Sequence, residues 1–514
     1  MISNRRKYLN NEDPKKRFLK YLNFFLVVSV FFAVVLSSCG EGDEAEIEKI
    51  PDSKLQGAVQ NQIDESPAII DTNNIKVDVR NGIVTLSGKT EDLLSRRRAE
   101  LIAESVRGVR SVVNNIEVDP TVIKPDSLIE VQVRHAMAVD PVIDTQDVKV
   151  NAKGTAVILN GNVESHALVD IAKRIAMSVS GVRFIIDSLN ITYPEERPDA
   201  DIKKEIRRKI DINPFIYSSM MEVQVKDGHV KLVGAVGSME EKSKAFNEAW
   251  VNGVESVNIS DLEVRFWANE EMKKESLIKD LSNEEKEDAI ADALLLDPRL
   301  DDFDLTVDVQ GRAAILGGKV DRYSAKVAAE RDARNTIGIT AVDNNIEVIP
   351  EAENGDEEIA REAVVLIDMN PLLEKEDINI AVKDNMAILK GAVSSYFQKM
   401  TAESVVSKVP GIKAIENEIV IGEPTSDITD KELRQSIENE YYWDVMLEGD
   451  QFDISVENGV ASIEGKVESW EEYNAAIENA FEGGAYIVKS KINVMDSPYN
   501  EQDYHYHDYY YWLQ

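Results

Sequence analysis

Cysteine is nearly missing: the 514-residue chain has one, Cys39, which excludes a disulfide framework and any thiolate metal cluster. Histidine is almost as scarce. His135, His166, His229, His505 and His507 are the whole supply, with no HExxH pattern, no Ser-His-Asp order and no paired-ligand spacing. They read as ordinary surface or half-buried side chains, and no metal or cofactor is implied. Calcium-loop spacing is absent too, so the many carboxylates read as a solvated face. Basic charge is also short, with 58 Lys and Arg against 94 Asp and Glu, for a net charge of −36. Such a balance repels polyphosphates and excludes nonspecific nucleic-acid binding.

Where basic residues do concentrate is the N-terminus. Arg5, Arg6, Lys7, Lys15, Lys16, Arg17 and Lys20 precede an apolar run from Phe24 to Leu36, and then "LSSC". This is the order of a secretory signal peptide. The ending Leu36-Ser37-Ser38-Cys39 resembles a bacterial lipobox, and the resemblance implies that Cys39 becomes the lipidated first residue after removal of 1–38. The remaining chain then carries −41, and residues 39–51 form an acidic tether.

The stretch "NGIVTLSGKTED" ends in Gly88-Lys89-Thr90, which suggests a phosphate loop. Five residues separate Gly82 from Gly88, however, where a Walker A loop needs four. Self-comparison explains the letters better. The segments "GIVTLSGKT", "GTAVILNGNV", "GHVKLVGAV", "GRAAILGGKV", "DNMAILKGAV" and "GVASIEGKV" share an anchoring glycine at Gly88, Gly161, Gly234, Gly318, Gly391 and Gly465. Lys89 and Thr90 do not recur, which argues against nucleotide binding. A glycine at a strand end allows a bend or close approach.

The same register holds elsewhere. Pro67, Pro141, Pro214, Pro298 and Pro371 follow helix-patterned segments and predict their ends; the sixth copy has "EYYWD" there instead. Two alternating runs joined by Asn81-Gly82, Asp227-Gly228 or Asn458-Gly459 predict hairpins. Copies two and four, with one extra residue between glycines, predict longer loops. Ser165, Ser238 and Ser469 predict helix N-caps, and Glu241 and Glu472 complete capping boxes for the last two. Apolar residues at helical spacing follow, such as Ala99, Ile102, Ala103 and Val106. A second glycine series, from Gly108 to Gly484, marks where each second helix stops before the last strand.

Each unit is therefore helix, strand, strand, helix, strand. The fold class is α+β, a tandem array of six small αββαβ domains, each a three-stranded sheet covered on one face by two helices. The boundaries are 52–119, 126–192, 199–266, 284–349, 355–421 and 428–496, with a polar linker at 267–283 and a Tyr-rich tail at 497–514. The "G.V.L.G" strand and the helix ending in "GV" before "V.N.I.V" resemble the BON domain, best seen in "VRNGIVTLSGKTEDLLSRRRAELIAESVRGVRSVVNNIEV". That resemblance implies a non-enzymatic module of the bacterial envelope that binds phospholipid or envelope proteins, often under osmotic stress. Six copies exceed the family's usual one to three and favour an extended array.

Copies one to three each carry a net −2, whereas copies four to six carry −7, −5 and −11. Two basic clusters, Arg96, Arg97 and Arg98, and Lys203, Lys204, Arg207, Arg208 and Lys209, lie in the near-neutral half. They are the candidate contacts to anionic head groups, with copies one to three nearest the membrane and copies four to six projecting away. The alternative is that these faces balance neighbouring acids. The acidic distal half also suits a surface-displayed adhesin or scaffold, and an enzyme would need carboxylates recurring at one position, which the alignment does not bring out. The tail "SPYNEQDYHYHDYYYWLQ" reads as a disordered or strand-like end, or else as a docking peptide, interfacial anchor or weak metal ligand through His505 and His507.

Overall fold

The computed structural model describes residues 50–495, apart from 141, 144–145, 194–196, 217, 266–280, 301, 351–353, 423–427 and 448–450. The segment expected to be a signal peptide, Cys39, the expected tether up to residue 49, most of the polar linker and the Tyr-rich tail therefore lie outside the described residues. No helix among the described residues is long and apolar enough to cross a membrane.

The first helices of the six repeats are α1 (Asp52–Glu65), α3 (Asp126–Val139), α5 (Asp199–Ile212), α7 (Asn283–Leu296), α9 (Asp356–Met369) and α11 (Asp430–Trp443). The second helices are α2 (Leu93–Ser105), α4 (His166–Met177), α6 (Met239–Glu248), α8 (Tyr323–Arg334), α10 (Tyr396–Ser407) and α12 (Trp470–Glu482). The first three repeats contribute strands β1 (Ile75–Arg80), β2 (Ile83–Thr90), β3 (Ser111–Val118), β4 (Val148–Lys153), β5 (Ala156–Val163), β6 (Phe184–Ile191), β7 (Met221–Lys226), β8 (His229–Val236) and β9 (Ser256–Val264). In each of them the middle strand pairs antiparallel with the first and parallel with the third. Repeats four to six repeat the topology, although the last strand breaks in two in repeats four and five. Strand alternation turns one face onto the helices: Ile75, Val77 and Val79 of β1 are buried while Lys76, Asp78 and Arg80 are exposed.

The helix ends follow local chemistry. α1 stops two residues before Pro67, and α5, α7 and α9 stop two before their prolines. α11 stops in the same register after Tyr442-Trp443 without one. Ser165, Ser238 and Ser469 each accept a hydrogen bond from the N–H three residues on. Glu241 and Glu472, expected to close capping boxes, instead reach one residue past the cap, to the N–H groups of Gly237 and Glu468. Reciprocal boxes form at Ser282 with Glu285, Ser395 with Gln398 and Thr429 with Glu432.

Two expectations are corrected. Hairpins two and four have two-residue loops like the rest, since Lys153 pairs with Ala156 and Gln310 with Ala313. Their glycine has moved to the first turn position, where Gly154 and Gly311 take φ of 61° and 69°. The second correction concerns the extended array. The residue before the second glycine donates its N–H to the last carbonyl of another repeat's first helix at three equivalent places. Arg107 donates to Trp443 at 2.7 Å, Ser180 to Met369 at 2.8 Å and Ile337 to Ile212 at 3.1 Å. Repeat one thus pairs with six, two with five and three with four. The chain folds back on itself, because each small unit buries too little surface alone.

Second helices face one another across this folded body. Tyr396 of α10 stacks on Phe481 of α12 at 4.0 Å. Arg334 of α8 lies 4.4 Å over Trp470, and Arg98 of α2 lies 4.9 Å over Phe397. The core of repeats four and five is continuous and takes in Leu94 and Val139 from repeats one and two.

Candidate functional site

With the helices turned inward, the open sheet faces are what the repeats present outward. In β1, β2 and β3 that face carries Asp78 and Glu117 among its exposed residues. Equivalent acids stand at Glu222 and Glu263, Asp308 and Asp343, Asp377 and Glu416, and Asp453 and Glu464. Repeat two is different. Its outward positions are Lys149, Asn151 and Lys153 on β4, Ala156, Ile158, Asn160 and Asn162 on β5, and Phe184, Ile186, Ser188 and Asn190 on β6. None is acidic. Register places Ala156 beside Phe184 and Ile158 beside Ile186, and Phe184 and Ile186 are each 48% exposed. The Arg183 guanidinium lies 5.9 Å from the Phe184 ring. A chain of net charge −36 therefore holds one open sheet whose outward strand positions are basic along one edge and apolar along the other, with the exposed Asp147 at the start of the basic edge and Asp119 paired to Arg183 beside the apolar one.

The two basic clusters singled out from sequence fare differently. Arg98 is buried and pairs with Glu482 of repeat six, so it is removed from any head group. Arg96 donates to the Asn114 carbonyl and Arg97 pairs with Glu100 at 3.0 Å. In the second cluster Arg207 donates to the Met221 carbonyl, Arg208 pairs with Asp292 and Lys209 with Glu248. Lys203 and Lys204 are exposed. Four of the eight bases thus pair with acids, two donate to backbone carbonyls and two are exposed. A membrane-near half with a projecting half is also replaced, since repeat six lies against repeat one.

The anchoring glycines hold their places by close approach. Gly88 has φ of 116°, and a Cβ there would stand 1.9 Å from the Asn74 carbonyl oxygen; Gly161, Gly234 and Gly391 meet the equivalent carbonyl at 1.8, 2.0 and 2.3 Å. At Gly318 and Gly465 the carbonyl stands back to 2.8 Å. His135 sits 2.7 Å from Glu362 on the two–five seam, His166 stacks on Trp250 at 3.9 Å, and His229 lies 2.8 Å from Ser256. All three described histidines serve packing.

One carboxylate series escaped the sequence reading and recurs in the repeats. Asp52 accepts the N–H groups of Asn81 and Gly82, the two residues of the hairpin turn. Asp126, Asp199, Asp356 and Asp430 do the same for their turns, and Asn283 stands in the fourth copy. These N–H bonds hold the Asp126 and Asp199 carboxyls below their ordinary range. The signal was there, an acid at the start of five of the six first helices about 29 residues before the turn, but its role is to clamp the hairpin.

Repeats one, three and six enclose a chamber of about 110 Å³. Its walls carry Glu104, Glu240, Glu440, Asp444, Glu471, Glu478 and Glu482, with Leu101, Ile102, Met446 and Ala475 between them. Lys244 reaches Glu471 at 3.1 Å and Glu240 at 3.3 Å. Loss of hydration pushes Glu471 and Glu478 up to about 8, Glu104 to about 7 and Asp444 to about 6, and drives Glu440 well above its usual range.

Six αββαβ units in tandem define a repeat protein, and among its described residues no cluster could hold a metal ion. The chain belongs to the BON domain family, which matches residues 51–120, 125–193, 198–265, 282–350, 355–423 and 429–490. It is 31% identical over 147 residues to the osmotically-inducible protein Y of Escherichia coli K12, covering 27% of this chain and 73% of that protein. Among solved structures it is similar to CdsD, a structural protein of the type III secretion system of Chlamydia trachomatis. Identity there is 11%, over 41% of this chain and 91% of that one, with a TM-score of 0.12. The C-terminal domain of CdsD gives 12% identity, 42% and 100% coverage, and a TM-score of 0.12.

Proposed function

We propose that the chain is a non-catalytic, lipid-anchored protein of the bacterial envelope that binds phospholipid through the open sheet of its second repeat. One observation carries this reading: Lys149 and Lys153 flank Ile158, Phe184 and Ile186 on a face whose strand positions hold no outward acid, Asp147 lying just before the first strand. A lysine near an anionic surface contributes about 1 kcal/mol, and exposed aromatic and branched side chains enter the boundary between head groups and acyl chains. The basic run, the apolar segment and Cys39 supply the anchor, and kinship with an osmotically inducible protein supports a role in osmotic or envelope stress.

Co-sedimentation with vesicles of phosphatidylglycerol and phosphatidylcholine tests the reading. The full chain binds the anionic vesicles, Lys149→Glu with Lys153→Glu weakens binding by about tenfold or more, and Lys489→Glu on repeat six leaves it unchanged. Equal retention of the double variant and the parent overturns the assignment.

A further inference from the structure

The chamber between repeats one, three and six is unbalanced in a specific way. Lys244 serves Glu471 and Glu240, and Arg98 serves Glu482. Glu104 accepts only from the Ser243 hydroxyl, Glu440 from the Gln62 amide, and Asp444 from the Asn479 amide and the Met446 N–H. Two further oxygens on this wall, Oε1 of Gln62 and Oε2 of Glu482, have no hydrogen-bond partner, although their side chains are only 7% and 5% exposed. Buried acceptors without donors are costly, and these two are acceptors alone, so the missing group is a donor.

Its chemistry follows from the arrangement. No three carboxylates among the described residues converge closely enough to hold a metal ion, so a point charge fits poorly. The acids come from repeats one, three and six, and Leu101, Ile102, Met446 and Ala475 line the same chamber. A ligand with two separated ammonium groups and a short methylene chain between them matches both features. We propose that this chamber binds a short aliphatic diamine, held at its two ends by carboxylates of repeats one and six. The site exists only because the chain folds back, and it does not depend on the phospholipid reading.

Calorimetric titration of the full chain with 1,4-diaminobutane at pH 8 and fixed ionic strength tests the proposal, with 1-aminobutane, calcium chloride and potassium chloride as comparators. Saturable one-to-one binding is expected, at least tenfold tighter than the monoamine. Glu478→Gln and Gln62→Leu each weaken it at least tenfold with the circular dichroism spectrum unchanged, while Glu416→Gln, on an outer sheet face, has no effect. A diamine signal no stronger than that of the monoamine or of added salt, tighter binding of calcium, or affinity retained in both chamber variants overturns it.

Discussion

Single residues carry the repeat where backbone geometry leaves no choice. Gly161 has φ of 142°, and a Cβ would sit 1.8 Å from the Asp147 carbonyl oxygen, an overlap only backbone movement relieves. Gly161→Ala is expected to cost about 2–4 kcal/mol, read as a fall in the urea midpoint. Gly154→Ala, also at positive φ but with open space around it, should cost only about 1 kcal/mol. Glycine recurrence made the first position legible, because an alignment exposes a residue that cannot vary. Arg98 was not legible. It reads as one of three arginines in a row, and only the approach of repeat six to repeat one turns it into a buried partner of Glu482.

At the scale of elements, periodicity and turn dipeptides gave helix, strand, strand, helix, strand, because each is decided within one repeat. The shifted glycines of hairpins two and four misled a loop-length count, since a turn accepts its glycine at either central position. The aspartate clamp was missed because its bonds join a helix start to a distant turn. Removing it has a local signature. Asp126→Ala should speed amide exchange at Gly154 and Thr155 while leaving the hairpin of repeat one protected. The effect depends on pH. The folded carboxyl titrates below its ordinary value, so the stabilisation is present above that ordinary value and disappears as pH falls through the lowered one. Parent and variant should therefore converge in acid, as measured by exchange at stepped pH.

For the whole molecule, pairing of repeats was invisible in the sequence because it depends on surfaces far apart along the chain. Glu65 and Ser436 meet across the one–six seam at 3.0 Å. With Cys39→Ser removing the only native thiol, Glu65→Cys and Ser436→Cys should close a disulfide on mild oxidation, seen as faster migration on non-reducing gels. An open string of domains would give only intermolecular products. Across the same seam Arg98 and Arg107 of the first repeat reach Glu482 and the Leu447 carbonyl of the sixth.

The pairing rule also orders assembly in time. The two–five seam joins residues 250 apart in the chain and the one–six seam residues 337 apart, whereas repeats three and four are sequence neighbours. Loop-closure entropy grows too slowly with length to separate the two longer seams, but synthesis runs from repeat one to repeat six. The first repeat to be synthesised therefore waits longest for its partner, and the diamine chamber, which needs repeats one, three and six together, cannot close before repeat six is made.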